Sequence, residues 1–274
     1  MRIYSVSHQL KIKLKTWNKT MTAAKRDFTL QLLMDADITA GMRVLDIGCG
    51  SGDVTFMLSN LVTQTGEVIG IDHDSNALSI ARERKVTSSQ YAQPSFIQSS
   101  LHDLPESLGT FDAIVGRRVL MYQTDTVAAV TELAKHLRPG GVMIFQEHDS
   151  TMAPASVDSF ELHIKAQSWI QHMIALEGAD LHIGFNLHRI LTDSGLYVES
   201  LRAECLVQTP ETPYSLGNIV KACLPRIVAL GVATPEEIGI ETLQQRLDDE
   251  RKKSKGIYIG DVIFGAWARK PVTE

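Results

Sequence analysis

The segment VLDIGCGSGD, residues 44–53, carries the strongest structural signal in this chain. Its first residues are mostly apolar and predict a buried strand, the glycines at positions 48, 50 and 52 predict a tight turn, and a helix is expected to begin after the turn. Glycine lets the backbone take positive φ and approach a ligand closely. The helix behind the turn offers unpaired N–H groups and the positive end of its dipole. Nucleotide-type cofactors bind at such turns.

Two acidic residues narrow the kind of cofactor. The dinucleotide-binding pattern G-x-G-x-x-G has a third glycine three residues after the second, and this position is Asp53 here. A carboxylate is a poor neighbour for a pyrophosphate. Asp46 lies at the end of the strand, just before the glycines. The turn therefore favours a cofactor with a cationic end over one with a diphosphate.

Asp46, Gly48, Gly50 and Gly52 match the pattern D-x-G-x-G-x-G, through which the chain resembles the class I S-adenosylmethionine-dependent methyltransferases. The resemblance implies that this turn holds the methionine end of S-adenosylmethionine, with the amino group near Asp46 and the carbonyl of Gly48. Cys49, inside the turn, is expected to be a small filler rather than a nucleophile. A glycine turn without a ligand is the alternative interpretation.

A second apolar segment, VIGID at residues 68–72, predicts a strand that also ends in an acid. Asp72 follows Gly50 by 22 residues, and an acid about 20 residues after a glycine turn accepts hydrogen bonds from a ribose. We therefore predict that Asp72 binds the ribose hydroxyls, with His73 beside it.

The segment FIQSSLHDLP, residues 96–105, departs from the family pattern. The resemblance implies an acid here that contacts the adenine amino group, and the aligned residue is Ser100. A serine hydroxyl hydrogen-bonds more weakly than a carboxylate. The adenine contact is therefore assigned to Ser100 and to the backbone of Leu101, with Asp103 reaching back as an alternative.

Two further segments complete the resemblance, which covers roughly residues 42–147. FDAIVGRRVL, residues 111–120, looks like the fourth strand and the loop over the reactive sulfur, and LRPGGVMIF, residues 137–145, looks like the turn before the fifth strand. The predicted fold is α/β, a doubly wound, mostly parallel sheet of seven strands of the class I methyltransferase, Rossmann-like type, with helical lid insertions.

The chain is interpreted as one catalytic domain in three parts, with N-terminal helices in 1–40, the cofactor-binding core in 41–150, and lid segments with the last two strands in 151–274. Strands are predicted at 43–47, 67–71, 94–98, 111–115, 141–146, 197–207 and 256–270. The lid is assigned to two segments, a long helical stretch at 155–180 and an insertion at 208–255. Helices in the insertion are expected to be broken by Pro210, Pro213, Pro225 and Pro235.

The composition limits the partners. The formal net charge is −5 and 44% of the 274 residues are hydrophobic, whereas a nucleic-acid enzyme usually has a basic surface. No apolar run reaches the ~18 residues of a membrane span. Three cysteines without metal spacing indicate a reduced compartment. We expect a cytoplasmic protein with a small-molecule substrate, no nucleic-acid partner and no membrane insertion. A homodimer is compatible with the sequence. The segment before the first strand is basic, in contrast to the negative net charge of the whole chain, and is expected to form a solvated helix face. Its basic residues are Lys11, Lys13, Lys15, Lys19, Lys25 and Arg26.

His148 and Arg117 are the predicted catalytic residues. His148 follows the fifth strand beside the expected methyl position, and histidine is the usual base near neutral pH. A loop histidine that only bonds the backbone is the alternative. Arg117 is predicted to orient the substrate or to pair with the cofactor carboxylate. The alternative is that Arg117 is a solvated loop arginine without a role in the site. No metal site is predicted, because neighbouring side chains in the extended segment 147–149 point to opposite faces.

The preferred hypothesis is a methyltransferase, most similar to the ubiquinone/menaquinone C-methyltransferases, that methylates a small organic molecule at oxygen, carbon or nitrogen by direct displacement. A second hypothesis is a protein of this fold that binds the cofactor structurally and catalyses a rearrangement or cyclisation, or only binds a ligand. Methylation of a protein or an RNA is the third.

Overall fold

The computed structural model describes residues 27–86, 88–152, 155–211 and 214–272. A single sheet runs through it, and its seven strands are β1 (Arg43–Ile47), β2 (Glu67–Asp72), β3 (Ser95–Gln98), β4 (Phe111–Arg117), β5 (Leu137–Asp149), β6 (Tyr197–Gln208) and β7 (Tyr258–Arg269). The α-helices within these residues are α1 (Phe28–Asp35), α2 (Asp53–Val62), α3 (Ser75–Glu83), α4 (Thr126–Lys135), α5 (Glu161–Leu176), α6 (Ile183–Asp193), α7 (Leu216–Ala229), α8 (Pro235–Ile238) and α9 (Ile240–Lys253).

The strand order is β3-β2-β1-β4-β5-β7-β6. Strands β1 to β5 pair in parallel, and β7 is antiparallel to both β5 and β6. The chain leaves β1 toward β2 and β3 and then returns to place β4 on the other side of β1. Parallel sheets open a crevice at the carboxyl ends of the strands where the order reverses in this way. The predicted cofactor residues lie in the last positions of β1, β2 and β4 or directly after β1, β2 and β3, so they lie at this edge.

Helices cover both faces of the sheet, because the residues of a strand point alternately to the two sides. In β1, Val44 belongs to the apolar cluster that includes α1 and α2, whereas Leu45 and Ile47 belong to the cluster that includes α4, α5 and α6. All three side chains are fully buried. The two clusters hold the glycine turn rigidly between them.

The predicted seven-stranded, mostly parallel fold is confirmed, with differences at some boundaries. Strand β5 is longer than the predicted 141–146, because its pairing continues with β7 as far as Asp149. Helix α5 begins at Glu161 rather than near 155, and it ends before Gly178, whose φ is +80°. Of the predicted N-terminal helices, only α1 lies within the described residues; the basic segment before Asp27 lies outside them.

The prediction that Pro225 breaks a helix is wrong, because Pro225 lies inside α7. Proline removes the N–H that would bond the carbonyl four residues earlier. That carbonyl belongs to Lys221, an exposed residue, so water can satisfy it. Pro235 instead begins α8, where a missing N–H has no cost, and Pro213 lies outside the described residues.

Helices α7 and α9 of the predicted lid insertion pack against each other and against α5. None of the helices within the described residues is long and apolar enough to span a membrane. The division into three parts stays a prediction.

Candidate active site

The glycine turn after β1 has the backbone shape that its sequence predicts. Gly48, Gly50 and Gly52 all have positive φ, at +60°, +52° and +87°, which glycine alone adopts without strain. A Cβ at Gly48 would lie 2.6 Å from a methyl group of Val119, whereas one at Gly50 would meet no atom within 4 Å. The backbone at Gly50 therefore faces open space, where a ligand can approach it.

Asp72 ties the end of β2 to the glycine turn. Its Oδ2 accepts the backbone N–H of Gly50 at 2.7 Å, and its Oδ1 accepts that of Asp74 at 2.9 Å. The neighbouring His73 side chain is 90% exposed, and its Nδ1 lies 3.4 Å from Asp72 Oδ1. Each carboxylate oxygen has two acceptor sites, so Asp72 can also accept hydrogen bonds from a ligand.

Asp46 is buried beneath the turn. Its Oδ2 accepts the Thr55 hydroxyl at 2.5 Å. Burial raises the pKa of Asp46 to about 7, although the Thr55 hydrogen bond and the charge of Arg117 oppose the rise. A cationic group in the turn would favour the carboxylate form further. Burial also raises the pKa of the Cys49 thiol, which disfavours the nucleophilic thiolate form.

Three cavities meet at the carboxyl edge of the sheet. The glycine-turn cavity, of about 160 Å³, is lined by Asp46, Gly48, Cys49, Gly50, Ser51, Asp53, Val54, Arg117 and Arg118. The Asp72 cavity, of about 240 Å³, is lined by Gly48, Ile71, Asp72, His73, Ser99, Ser100, Leu101, Arg118, Val119, Tyr122 and Gln123. Every residue predicted to bind the cofactor thus lines one of these two cavities. Asp103, the alternative adenine contact, is not among the lining residues of either.

The third, the His148 cavity, has a volume of about 170 Å³ and lies between the sheet edge and helices α5 and α7. Its apolar wall includes Met121, Ile170, Met173, Ile174, Leu216 and Ile219. Its polar groups include Arg118, Tyr122, His148, Gln167, Gln208, Tyr214 and Asp261. Burial and the nearby charge of Asp261 raise the pKa of Tyr214 to about 12, so Tyr214 stays a neutral hydrogen-bonding group.

The two predicted catalytic residues lie in different cavities. His148 lines the third cavity, and 22% of its side chain is exposed. Arg117 lines the glycine-turn cavity, with a guanidinium nitrogen 3.7 Å from Asp53 Oδ2, and burial lowers its pKa. Arg117 is not among the residues that line the His148 cavity.

Arg118 is the central residue that the sequence reasoning missed, and it lines all three cavities. Its φ is +58°, a left-handed conformation that is strained for a side chain with a Cβ. Its backbone N–H donates to the Gln146 carbonyl at 2.9 Å. Such strain clusters at functional sites, but the sequence carries no signal that separates Arg118 from Arg117.

A buried carboxyl supports the loop that follows Arg118. Glu147 Oε1 accepts the backbone N–H groups of Val119 at 3.0 Å and Leu120 at 2.8 Å. Burial raises the pKa of Glu147 to about 7, and these backbone hydrogen bonds oppose the rise. Glu147 thereby fixes the segment that lies between the Asp72 cavity and the His148 cavity. Within the described ranges no group of three or more His, Cys, Asp or Glu side chains is placed to hold a metal ion.

Comparison with known proteins also indicates a methyltransferase. A family model described as a methyltransferase domain matches residues 38–195, more than half of the chain. The demethylmenaquinone methyltransferase of Lactococcus lactis is 34% identical over 129 residues, which are 47% of this chain and 50% of that protein. The chain spans about half the length of the first curated relatives it matches.

Two solved structures share the fold at low identity. A candidate methyltransferase from Bacillus halodurans is 14% identical with a TM-score of 0.57, over 89% of this chain and 99% of that one. The (4+2)-cyclase SpnF is 19% identical with a TM-score of 0.56, over 89% and 81%. The fold, the cavities at its edge and the family match agree. The chain therefore belongs to the methyltransferase domain family and has the fold of the class I S-adenosylmethionine-dependent methyltransferases, whose cofactor is the predicted one.

Proposed function

We propose that this protein uses S-adenosylmethionine to methylate a small organic molecule at an oxygen, carbon or nitrogen atom. One observation carries the proposal: the Asp72 cavity and the His148 cavity share Arg118 and Tyr122 in their walls. A cofactor in the first cavity and the glycine turn would therefore lie next to an acceptor in the second. Placing two reactants side by side in this way can supply ~7–11 kcal/mol of the barrier.

The residues at the turn fit this cofactor chemically. Asp46 offers a buried carboxylate to the ammonium group, and Asp72 offers acceptor oxygens to the ribose hydroxyls. Ser100 and Leu101 line the far part of the Asp72 cavity, where the adenine is expected. Arg117 is the cation available to the methionine carboxylate. When bound, the cofactor supplies an activated methyl group.

The residues of the His148 cavity orient the acceptor, exclude water and receive its proton. With the cofactor bound, the acceptor would take the activated methyl group, and S-adenosylhomocysteine would be the product. An oxygen or carbon acceptor must also lose a proton, and His148 is the base that lines the cavity. Arg118, the cation shared by all three cavities, would stabilise the negative charge on the acceptor.

The size and lining of the His148 cavity favour a small molecule over a macromolecule. Its volume of about 170 Å³ and its wall of methionine, isoleucine and leucine side chains suit a compact and mainly apolar acceptor. The net charge of −5 argues against an RNA substrate. We place the protein in the cytoplasm because its three cysteines are all free.

A methyl-transfer assay with S-adenosylmethionine labelled on the methyl carbon tests the proposal. The acceptor panel begins with a demethylmenaquinone in its reduced form, because the curated relatives are demethylmenaquinone methyltransferases, and continues with phenols, amines and carboxylic acids. Label transfer with release of S-adenosylhomocysteine is expected. Tight cofactor binding without release for any acceptor would favour the second hypothesis, in which the cofactor is structural. Substituting His148 with Gln should lower transfer to an oxygen acceptor by ~10²-fold or more.

A further inference from the structure

A chain of hydrogen bonds runs from the buried wall of the His148 cavity to Asp261. The Tyr258 hydroxyl, on β7, donates to Gln167 Oε1 at 2.8 Å. This contact fixes which end of the Gln167 amide faces Asp261, and Gln167 Nε2 donates to Asp261 Oδ1. Tyr258 is 1% exposed and Gln167 is 6% exposed. The first two members of the chain are therefore held rigidly between α5 and β7.

The chain leaves the other oxygen of Asp261 facing His148. Asp261 Oδ2 lies 3.8 Å from His148 Nδ1, close enough for an electrostatic contact and just beyond a hydrogen bond. Both side chains line the cavity. Catalytic hydrogen bonds are often long in a ligand-free protein and shorten when a substrate excludes water. The other charged or titratable side chains that line this cavity are Arg118, Tyr122, Tyr214, Cys223 and Arg226.

We propose that Asp261 is a positioning residue for His148 in the methyl transfer proposed above, on which this inference rests. Its carboxylate holds the imidazole proton on Nδ1 and so leaves the lone pair of Nε2 free for the acceptor proton. A neutral imidazole has one donor and one acceptor nitrogen, and the partner of one nitrogen sets the role of the other. Gln167 and Tyr258 act one step further out, by holding Asp261.

The alternative is that the same hydrogen bonds only pack α5 against β7. A packing role predicts that loss of the Asp261 charge changes stability and leaves the imidazole unchanged. A positioning role predicts a change in the imidazole itself. The two roles therefore differ in a readout that needs neither cofactor nor acceptor.

Nitrogen-15 NMR of the imidazole provides that readout. In the wild-type protein with a neutral His148 ring, the imidazole proton is expected mainly on Nδ1. Asp261→Asn should shift the population toward Nε2–H, because an amide replaces the carboxylate. Tyr258→Phe should cause a smaller shift in the same direction. Gln167 can still donate to Asp261 in this variant, but it loses the hydrogen bond from the Tyr258 hydroxyl that orients its amide. An unchanged tautomer in Asp261→Asn would overturn the proposal, whether or not the protein transfers methyl groups.

Steady-state kinetics with an acceptor from the panel that the wild-type protein methylates complete the test. Asp261→Asn should lower kcat at least tenfold with little change in KM, and Asp261→Glu should restore part of the rate. Asp158→Asn is the matched control, because Asp158 is a carboxylate outside the cavity that accepts hydrogen bonds from Ser254 and Gly256. It should leave kcat unchanged. A tautomer shift without a loss in kcat would overturn the catalytic role of Asp261 and leave the proposed function standing.

Discussion

Binding of the cofactor product S-adenosylhomocysteine is expected to strengthen about 25-fold between pH 5.5 and 7.5. Burial raises the pKa of Asp46 to about 7, so the ionised fraction rises from about 3% to about 75% over this interval. Only the carboxylate pairs with an ammonium group, and the apparent dissociation constant scales inversely with the competent fraction.

Isothermal titration calorimetry at several pH values measures this change directly. At pH 7, titrations in two buffers with different ionisation enthalpies should also show release of about half a proton on binding. Asp46→Asn should bind more weakly at pH 7.5 and lose the pH response. Asp53→Asn, which removes an exposed carboxylate of the same cavity, should keep the response. A flat affinity in the wild-type protein would refute the assignment of Asp46 to the ammonium group.

The same variant checks the cause of the raised pKa. Because the pKa of Asp46 is higher in the folded protein than its ordinary value of 3.8, the folded state binds the proton more tightly than the unfolded state. The cost of ionising this buried group is absent below about pH 4 and complete above about pH 7. Asp46→Asn should therefore gain melting temperature relative to wild type at pH 8 and lose that gain at pH 4. An equal difference at both pH values would contradict burial as the cause.

Two further substitutions test the site. Arg118→Gly should raise the melting temperature by ~2–4 °C, since a left-handed residue with a Cβ costs ~1 kcal/mol. The same substitution should lower the rate of methyl transfer. Arg117→Gly is the control, because Arg117 does not have a left-handed backbone, and it should lower the melting temperature. A less stable Arg118→Gly would show that no strain is stored there. Asp72→Ala should weaken calorimetric binding of S-adenosylhomocysteine by ~5- to 150-fold, from ~1–3 kcal/mol of lost hydrogen bonding. Asp74→Ala, which removes only a helix cap, should change it little, and an unchanged affinity in Asp72→Ala would remove the ribose assignment.

The cofactor side of the site was predictable because it depends on backbone geometry close in sequence. Three glycines with positive φ and an acid after each of two strands leave a pattern that reads directly from the chain. The ends of parallel strands then bring Asp46, Asp72 and Ser100 to one edge of the sheet without further assumptions.

Apart from His148, most of the His148 cavity was not predictable, because residues distant in sequence build it. Gln167 and Asp261 are 94 residues apart and meet only after α5 packs against β7. Arg118 points into the cavities because its backbone is left-handed, a conformation that arginine itself does not signal. The helix over the cavity also contains Pro225, which local rules place at a break. Tertiary packing decided each of these three features.

The segment from Arg118 to Tyr122 has a thermodynamic consequence, because it lines the cofactor side and the acceptor side at once. A molecule in either cavity that restricts this segment removes part of the ordering cost for the other molecule. Such coupling is reciprocal, so the factor by which the acceptor tightens cofactor binding equals the factor by which the cofactor tightens acceptor binding. We therefore expect Glu147, which accepts hydrogen bonds from two backbone N–H groups of this segment, to influence the coupling between ligands in the two cavities.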